Sequence, residues 1–99
     1  MVKTRREVLR RLTRFSQQHA AEFGLRRIGV FGSAARDRLT RNSDIDVVVE
    51  LVEPDLLLLV GLQQELQALL GRPVDVVHYR SRMNPVLKQY IDAEAIYAP

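Results

Sequence analysis

Asp44 and Asp46 lie two residues apart in a stretch otherwise built of isoleucine and valine, Asp44-Ile45-Asp46-Val47-Val48-Val49. In a strand, residues i and i+2 face the same way, so the two carboxylates stand side by side. Like charges held that close raise at least one pKa unless a cation sits between them. Taken alone, the pair is explained equally well as an exposed sheet edge whose charges resist aggregation. Asp75 shifts the balance, because it is the lone carboxylate of another apolar run, Val74-Asp75-Val76-Val77. If the two strands are neighbours, three hard oxygen ligands converge, the donor set that suits Mg²⁺ or Mn²⁺ together with water and substrate phosphates. The competing structural reading pairs Asp75 with a nearby arginine.

Gly32-Ser33 supplies an anion-binding counterpart. It ends the apolar run Arg27-Ile28-Gly29-Val30-Phe31 and precedes Ala34-Ala35-Arg36, which can open a helix. Free N–H groups at a strand-to-helix turn attract anions, and glycine lets a phosphate approach the main chain. A plain turn with Ser33 as helix cap is the bland alternative. Neither a G-x-x-x-x-G-K-[ST] loop nor a G-x-G-x-x-G fingerprint is present.

Regular elements must hold these residues in place. Thr4-Arg5-Arg6-Glu7 has capping-box spacing, and Val8, Leu9, Leu12, Phe15, His19 and Phe23 recur at helical intervals up to Gly24, predicting an amphipathic helix over 4–23. Strands are predicted over 27–31, 44–51 and 73–79, with a short helix over 34–37 and a polar loop over 38–43. Pro54 suits the first position of a helix whose stripe is Leu56, Leu59, Leu62, Leu66, Leu69 and Leu70, closed by Gly71. Asn84-Pro85 caps a last helix carrying Leu87, Tyr90, Ile91 and Ala95 and continuing to Ala98. The order is α-β-(α)-β-α-β-α, without repeats or linkers, which predicts one α/β domain over 1–99.

Composition bounds the function. With 99 residues and 46% hydrophobic content, the chain has room for one globular core. Its longest apolar run, Leu56 to Leu62, is far short of the ~20 residues that span a bilayer. The charged N-terminus lacks the apolar segment of a secretory signal. Absence of cysteine excludes disulfides and thiolate zinc sites and is compatible with a cytoplasmic location. The net charge of +3 is a sum of opposites: residues 1–43 hold 11 Lys/Arg against 3 Asp/Glu, and residues 44–99 hold 4 against 9. The sign changes at Ser43-Asp44, between the two chemical motifs. The basic excess points to an anionic partner, and the split gives the two regions different electrostatic roles.

Gly32-Ser33, ten intervening residues and Asp44-Ile45-Asp46 match the G-S-x10-D-x-D signature of nucleotidyltransferases of the DNA polymerase β superfamily. Gly32-Ser33-Ala34-Ala35-Arg36 and Asn42-Ser43-Asp44-Ile45-Asp46-Val47-Val48-Val49 resemble the minimal nucleotidyltransferase (MNT) branch, antitoxins paired with HEPN-domain toxins. The likeness extends over nearly the whole chain; Asp37 departs from it, since the branch often has glycine there. It implies a polymerase β palm-like domain, a short mixed sheet with helices packed mainly on one face. It further implies that Asp44, Asp46 and Asp75 are metal ligands and catalytic residues holding two Mg²⁺ ions, with Mn²⁺ as the alternative. Two such ions, about 3.5–4 Å apart, stabilise the attacking and leaving oxygens of an in-line displacement. Asp75 would draw the acceptor's proton. Gly32, Ser33, Arg36 and Ser43 would bind the nucleotide, Ser43 by orienting the Asp44 turn or touching phosphate. The implied reaction transfers AMP from ATP to a tyrosine hydroxyl of the HEPN toxin, silencing it. An antitoxin acting by binding alone and a small-molecule nucleotidyltransferase are the alternatives.

The other features read more simply. The arginines of the first helix read as a solvated face rather than a nucleic-acid arm. His19 is expected to pack on the apolar face, and His78 to lie opposite Asp75. Tyr79, Tyr90 and Tyr97 read as ordinary amphipathic residues. The leucine run is core or a partner-helix face.

Overall fold

The amphipathic segment after Thr4 forms helix α1, Arg5–Phe23, in the computed structural model, which describes residues 1–99. Thr4 Oγ1 accepts from the Glu7 N–H at 3.2 Å, and Gly24 closes the helix at φ 63°. Val8, Leu12, Phe15 and Phe23 are its buried face. Strand β1 (Leu25–Phe31) runs straight into a single turn, α2 (Gly32–Ala35). Then follow β2 (Ile45–Leu51), α3 (Leu56–Leu70), β3 (Val74–His78), α4 (Pro85–Glu94) and β4 (Ile96–Tyr97).

The sheet order is β3-β2-β1-β4. β1 is antiparallel to both β2 and β4, while β2 and β3 are parallel, so the sheet is mixed. A parallel pair needs a crossover, and α3 supplies it. Alternation along β2 divides the sheet's faces. Ile45, Val47, Val49 and Leu51 join Val8, Leu12, Leu62, Leu66 and Leu70 in the main core under α1 and α3. Val48 faces the other way, with Phe31, Met83 and Ile91 in a smaller cluster under α4. The helices are therefore mainly on one face, as predicted. Each buried Leu or Val contributes roughly 1.5–3 kcal/mol, so the larger layer dominates stability. No helix is long and apolar enough to cross a membrane.

Four local expectations change. Residues 96–97 form a strand, not the end of α4; they pair with Gly29 and Val30. A Cβ on Gly29 would strike Ile96 O and Tyr97 Cα at 2.5 and 2.8 Å, so that glycine permits the close approach. Pro54 stands outside α3, which Asp55 caps by accepting from the Leu57 N–H at 2.7 Å. Leu56, expected in the buried stripe, is 76% exposed, because Leu62, Leu66 and Leu70 face the sheet instead. Asp44 lies one residue before β2, not within it.

Candidate active site

The parallel register of β2 and β3 makes Asp46 and Asp75 direct partners, on the same face of neighbouring strands. Asp44 precedes β2 at the same end of the sheet. The three carboxylates of the sequence analysis thus lie at one end of the sheet, and Asp75 and Asp44 both act on Asp46. Asp46 is partly buried, and burial is the largest cause raising its carboxyl above the ordinary range. The charges of Asp75 and then Asp44 add to that rise, and Arg36 alone opposes it. An acidic cluster with so little cationic compensation offers the hard oxygen donors that suit a divalent cation, although its three ligand atoms are not all within 4.8 Å of one another, as those of His19, Glu22 and Glu65 are.

Gly32 makes this crowding feasible. Its φ of +66° disfavours any L side chain, and a Cβ there would land on Asp46 Oδ2. Antiparallel pairing sets Phe31 opposite Asp46, so the turn that begins with Gly32 necessarily faces the carboxylates. The turn is braced from outside. Asp37 adopts φ 58°, a left-handed conformation that glycine usually fills. Here its Oδ1 accepts from the Arg5 N–H at 2.8 Å, while Arg5 Nη1 donates to Ala35 O at 3.0 Å. The departure at Asp37 therefore docks α1 onto the Gly-Ser turn and satisfies an orphan donor of the helix.

Ser43 shapes the approach to Asp44. Its Oγ accepts from the Thr40 N–H at 2.9 Å and shares a hydrogen bond with Thr40 Oγ1, so the hydroxyl is engaged within its own loop. Arg72 secures that loop and was not legible as a site residue. Only 7% exposed, it donates from Nε to Val2 O at 2.8 Å and from Nη1 to Thr40 O and Ser43 O at 2.6 and 3.1 Å. An arginine between Gly71 and Pro73, just before the strand of Asp75, was the one available signal. Tyr90 was missed as well: it is not a simple surface ring but accepts from Arg36 Nη1.

Other polar groups gather on the far side of the sheet. A groove of about 770 Å³ between α1 and α3 is lined by Arg10, Arg11, Arg14, Phe15, His19 and Glu65. His19 stacks on Phe15, ring centroids 4.8 Å apart, and its ligand atom lies within 4.8 Å of those of Glu22 and Glu65. Those groups are exposed or half-buried and beside three arginines, a setting that disfavours a cation. His78 is buried on the α1/α3 face, opposite Asp75 as predicted, and burial first, Arg80 second, lowers its pKa.

A mixed sheet with clustered carboxylates at the end of a parallel pair, faced by a glycine-led turn, defines a nucleotide-handling enzyme. The nucleotidyltransferase domain matches residues 9–98, and the chain belongs to that family, with the minimal nucleotidyltransferase fold. The protein adenylyltransferase MntA of Thermococcus cleftensis is 38% identical over 87 residues, 87% of each chain. MJ0435 of Methanocaldococcus jannaschii is 46% identical over 74 residues, 74% of this chain and 78% of its own. A solved toxin–antitoxin complex with AMP-PNP contains a chain that superposes with a TM-score of 0.73 at 28% identity, covering 88% of this chain and 72% of that one.

Proposed function

We propose that residues 1–99 act as one nucleotidyltransferase domain that moves AMP from ATP to a tyrosine hydroxyl of a HEPN-domain toxin, and thereby serve as its antitoxin. The observation that carries this reading is the register pairing of Asp46 with Asp75 beside Asp44, opposite the Gly32 turn. The adenylyltransferase relative and the AMP-PNP complex support the choice of nucleotide and partner.

Asp44, Asp46 and Asp75 would hold Mg²⁺, which when bound neutralises phosphate charge and polarises the oxygens that enter and leave. Gly32 and Ser33 offer main-chain N–H groups and a hydroxyl to the β- and γ-phosphates, and Arg36 adds a guanidinium. Ser43, through its loop, orients Asp44. The acceptor oxygen attacks the α-phosphorus, the bond to the bridging oxygen breaks, and pyrophosphate leaves with the electron pair. Asp75, the most exposed strand carboxylate of the pair, takes the hydroxyl proton.

The test is intact-mass spectrometry of a HEPN-domain protein, sought among the products of the neighbouring genes, after incubation with ATP, Mg²⁺ and the chain. The expected result is an AMP adduct that disappears with Asp44→Asn. Full neutralisation by the Asn variant, with no adduct from the unaltered protein, would contradict transfer.

A further inference from the structure

Arg36 closes α2 at the rim of the acidic cluster, near enough for its charge to act on Asp46. Its side chain is nevertheless fastened to a different element. Nη1 donates to the Tyr90 hydroxyl and lies 3.6 Å from Glu94 Oε2. Tyr90 and Glu94 are four residues apart on α4, so one face of that helix presents both acceptors. The Tyr90 ring is fixed in turn, edge-on to Phe31 with centroids 6.2 Å apart at 75°. Phe31 is the register partner of Asp46, which links the anchor to the strand of the acidic cluster.

Both contacts fall on one nitrogen. A guanidinium has five N–H donors in a rigid plane, and its preferred grip on phosphate is bidentate. With Nη1 occupied, the edge formed by Nε and Nη2 carries no protein partner. An anchored arginine has already lost rotamer freedom that an unanchored one would lose on meeting its ligand.

We propose that Tyr90 and Glu94 are positioning residues for nucleotide binding: they hold Arg36 by Nη1 so that its free edge takes a pair of triphosphate oxygens. This rests on the reading above, that the Gly32-Ser33 side of the site receives the triphosphate. The effect belongs to affinity rather than to the chemical step, because neither residue reaches the reacting atoms.

The experiment measures the affinity of the intact protein for AMP-PNP with Mg²⁺ by calorimetry, alongside KM for ATP and kcat with the toxin as acceptor. Tyr90→Phe keeps the ring and its packing on Phe31 but removes the hydroxyl. It is expected to weaken AMP-PNP binding and raise KM about three- to tenfold, the net worth of one ordinary hydrogen bond at an exposed site, with kcat unchanged. Glu94→Gln, which removes an exposed ion pair, is expected to change affinity about twofold. In an Arg36→Gln background Tyr90→Phe should have no further effect, since the anchor then holds nothing. Unchanged or tighter binding by Tyr90→Phe, while Arg36→Gln weakens it, would overturn the positioning role and leave the site reading intact. Unchanged binding by Arg36→Gln itself would overturn the placement of the triphosphate beneath both.

Discussion

Asp46 concentrates the electrostatic strain of the molecule. Burial raises its carboxyl pKa most, and Asp75 and Asp44 push it further in the same direction. A carboxyl whose folded pKa exceeds its unfolded value favours the fold while protonated. That contribution is complete below the ordinary value of 3.8 and is lost as pH rises through the raised folded value. At neutral pH the metal-free protein therefore carries a repulsion that a cation would relieve. Asp46→Asn should raise the thermal midpoint of chelator-treated protein by roughly 2–5 °C. Mg²⁺ should raise the midpoint of the unaltered protein and leave that of the variant unchanged. Thermal denaturation at pH 7 with and without Mg²⁺ checks both; a fall in the variant's midpoint would show that Asp46 is held by structural bonds instead. Asp46 and Asp75 stood out because a carboxylate among valines lacks a packing reason, and the pairing of their strands bears out the expected adjacency; Asp44 stands just outside β2, where alternation does not reach. Arg72 and Tyr90 were not, since their roles depend on partners 29 to 70 and 54 residues away.

Elements were readable where the chain marks its own ends. Gly24 and Gly71 both close helices at positive φ, and Thr4 and Asn84 both accept first-turn N–H groups. β4 escaped because two residues carry no period, and their strand exists only by pairing with β1. The clue lay in the partner, where Gly29 has no room for a Cβ. Loop 38–43 depends on another element in the same way. It has no regular structure, and Arg72 holds it through two carbonyls while tying the N-terminal segment through Val2. Arg72→Ala should destabilise the fold by about 2–4 kcal/mol, since the buried Val2 carbonyl and the part-buried bonds to Thr40 and Ser43 lose a charged donor and the arginine stem leaves a void. Arg72→Lys should recover only part of this, because one ammonium cannot span the fork's three acceptors. Urea denaturation gives both values. A loss under about 0.5 kcal/mol in the alanine variant would mean that the loop is held by Thr40 and Ser43 alone.

The whole molecule separates two kinds of surface across one sheet. Asp46 and Asp75 face the α4 side of the sheet and the Gly32 turn lies at its end, while Arg10, Arg11 and Arg14 line the α1/α3 groove behind the main core. The net charge of +3 conceals that division: the sequence set the basic region beside the acidic pair, whereas Arg10, Arg11 and Arg14 line the groove across the sheet. The two sides compete as homes for a nucleotide. The groove has the arginines, and His19, Glu22 and Glu65 have ligand atoms already within 4.8 Å. The Asp46 side has crowded carboxylates, a glycine required by contact, and an arginine anchored at its rim. The proposed chemistry lies on that side. A crystal structure of the protein with Mg²⁺ and AMP-PNP decides between them most directly. The predicted result is metal at Asp44, Asp46 and Asp75, with the triphosphate against Gly32, Ser33 and Arg36. A nucleotide seated between α1 and α3, with metal on His19, Glu22 and Glu65, would contradict it.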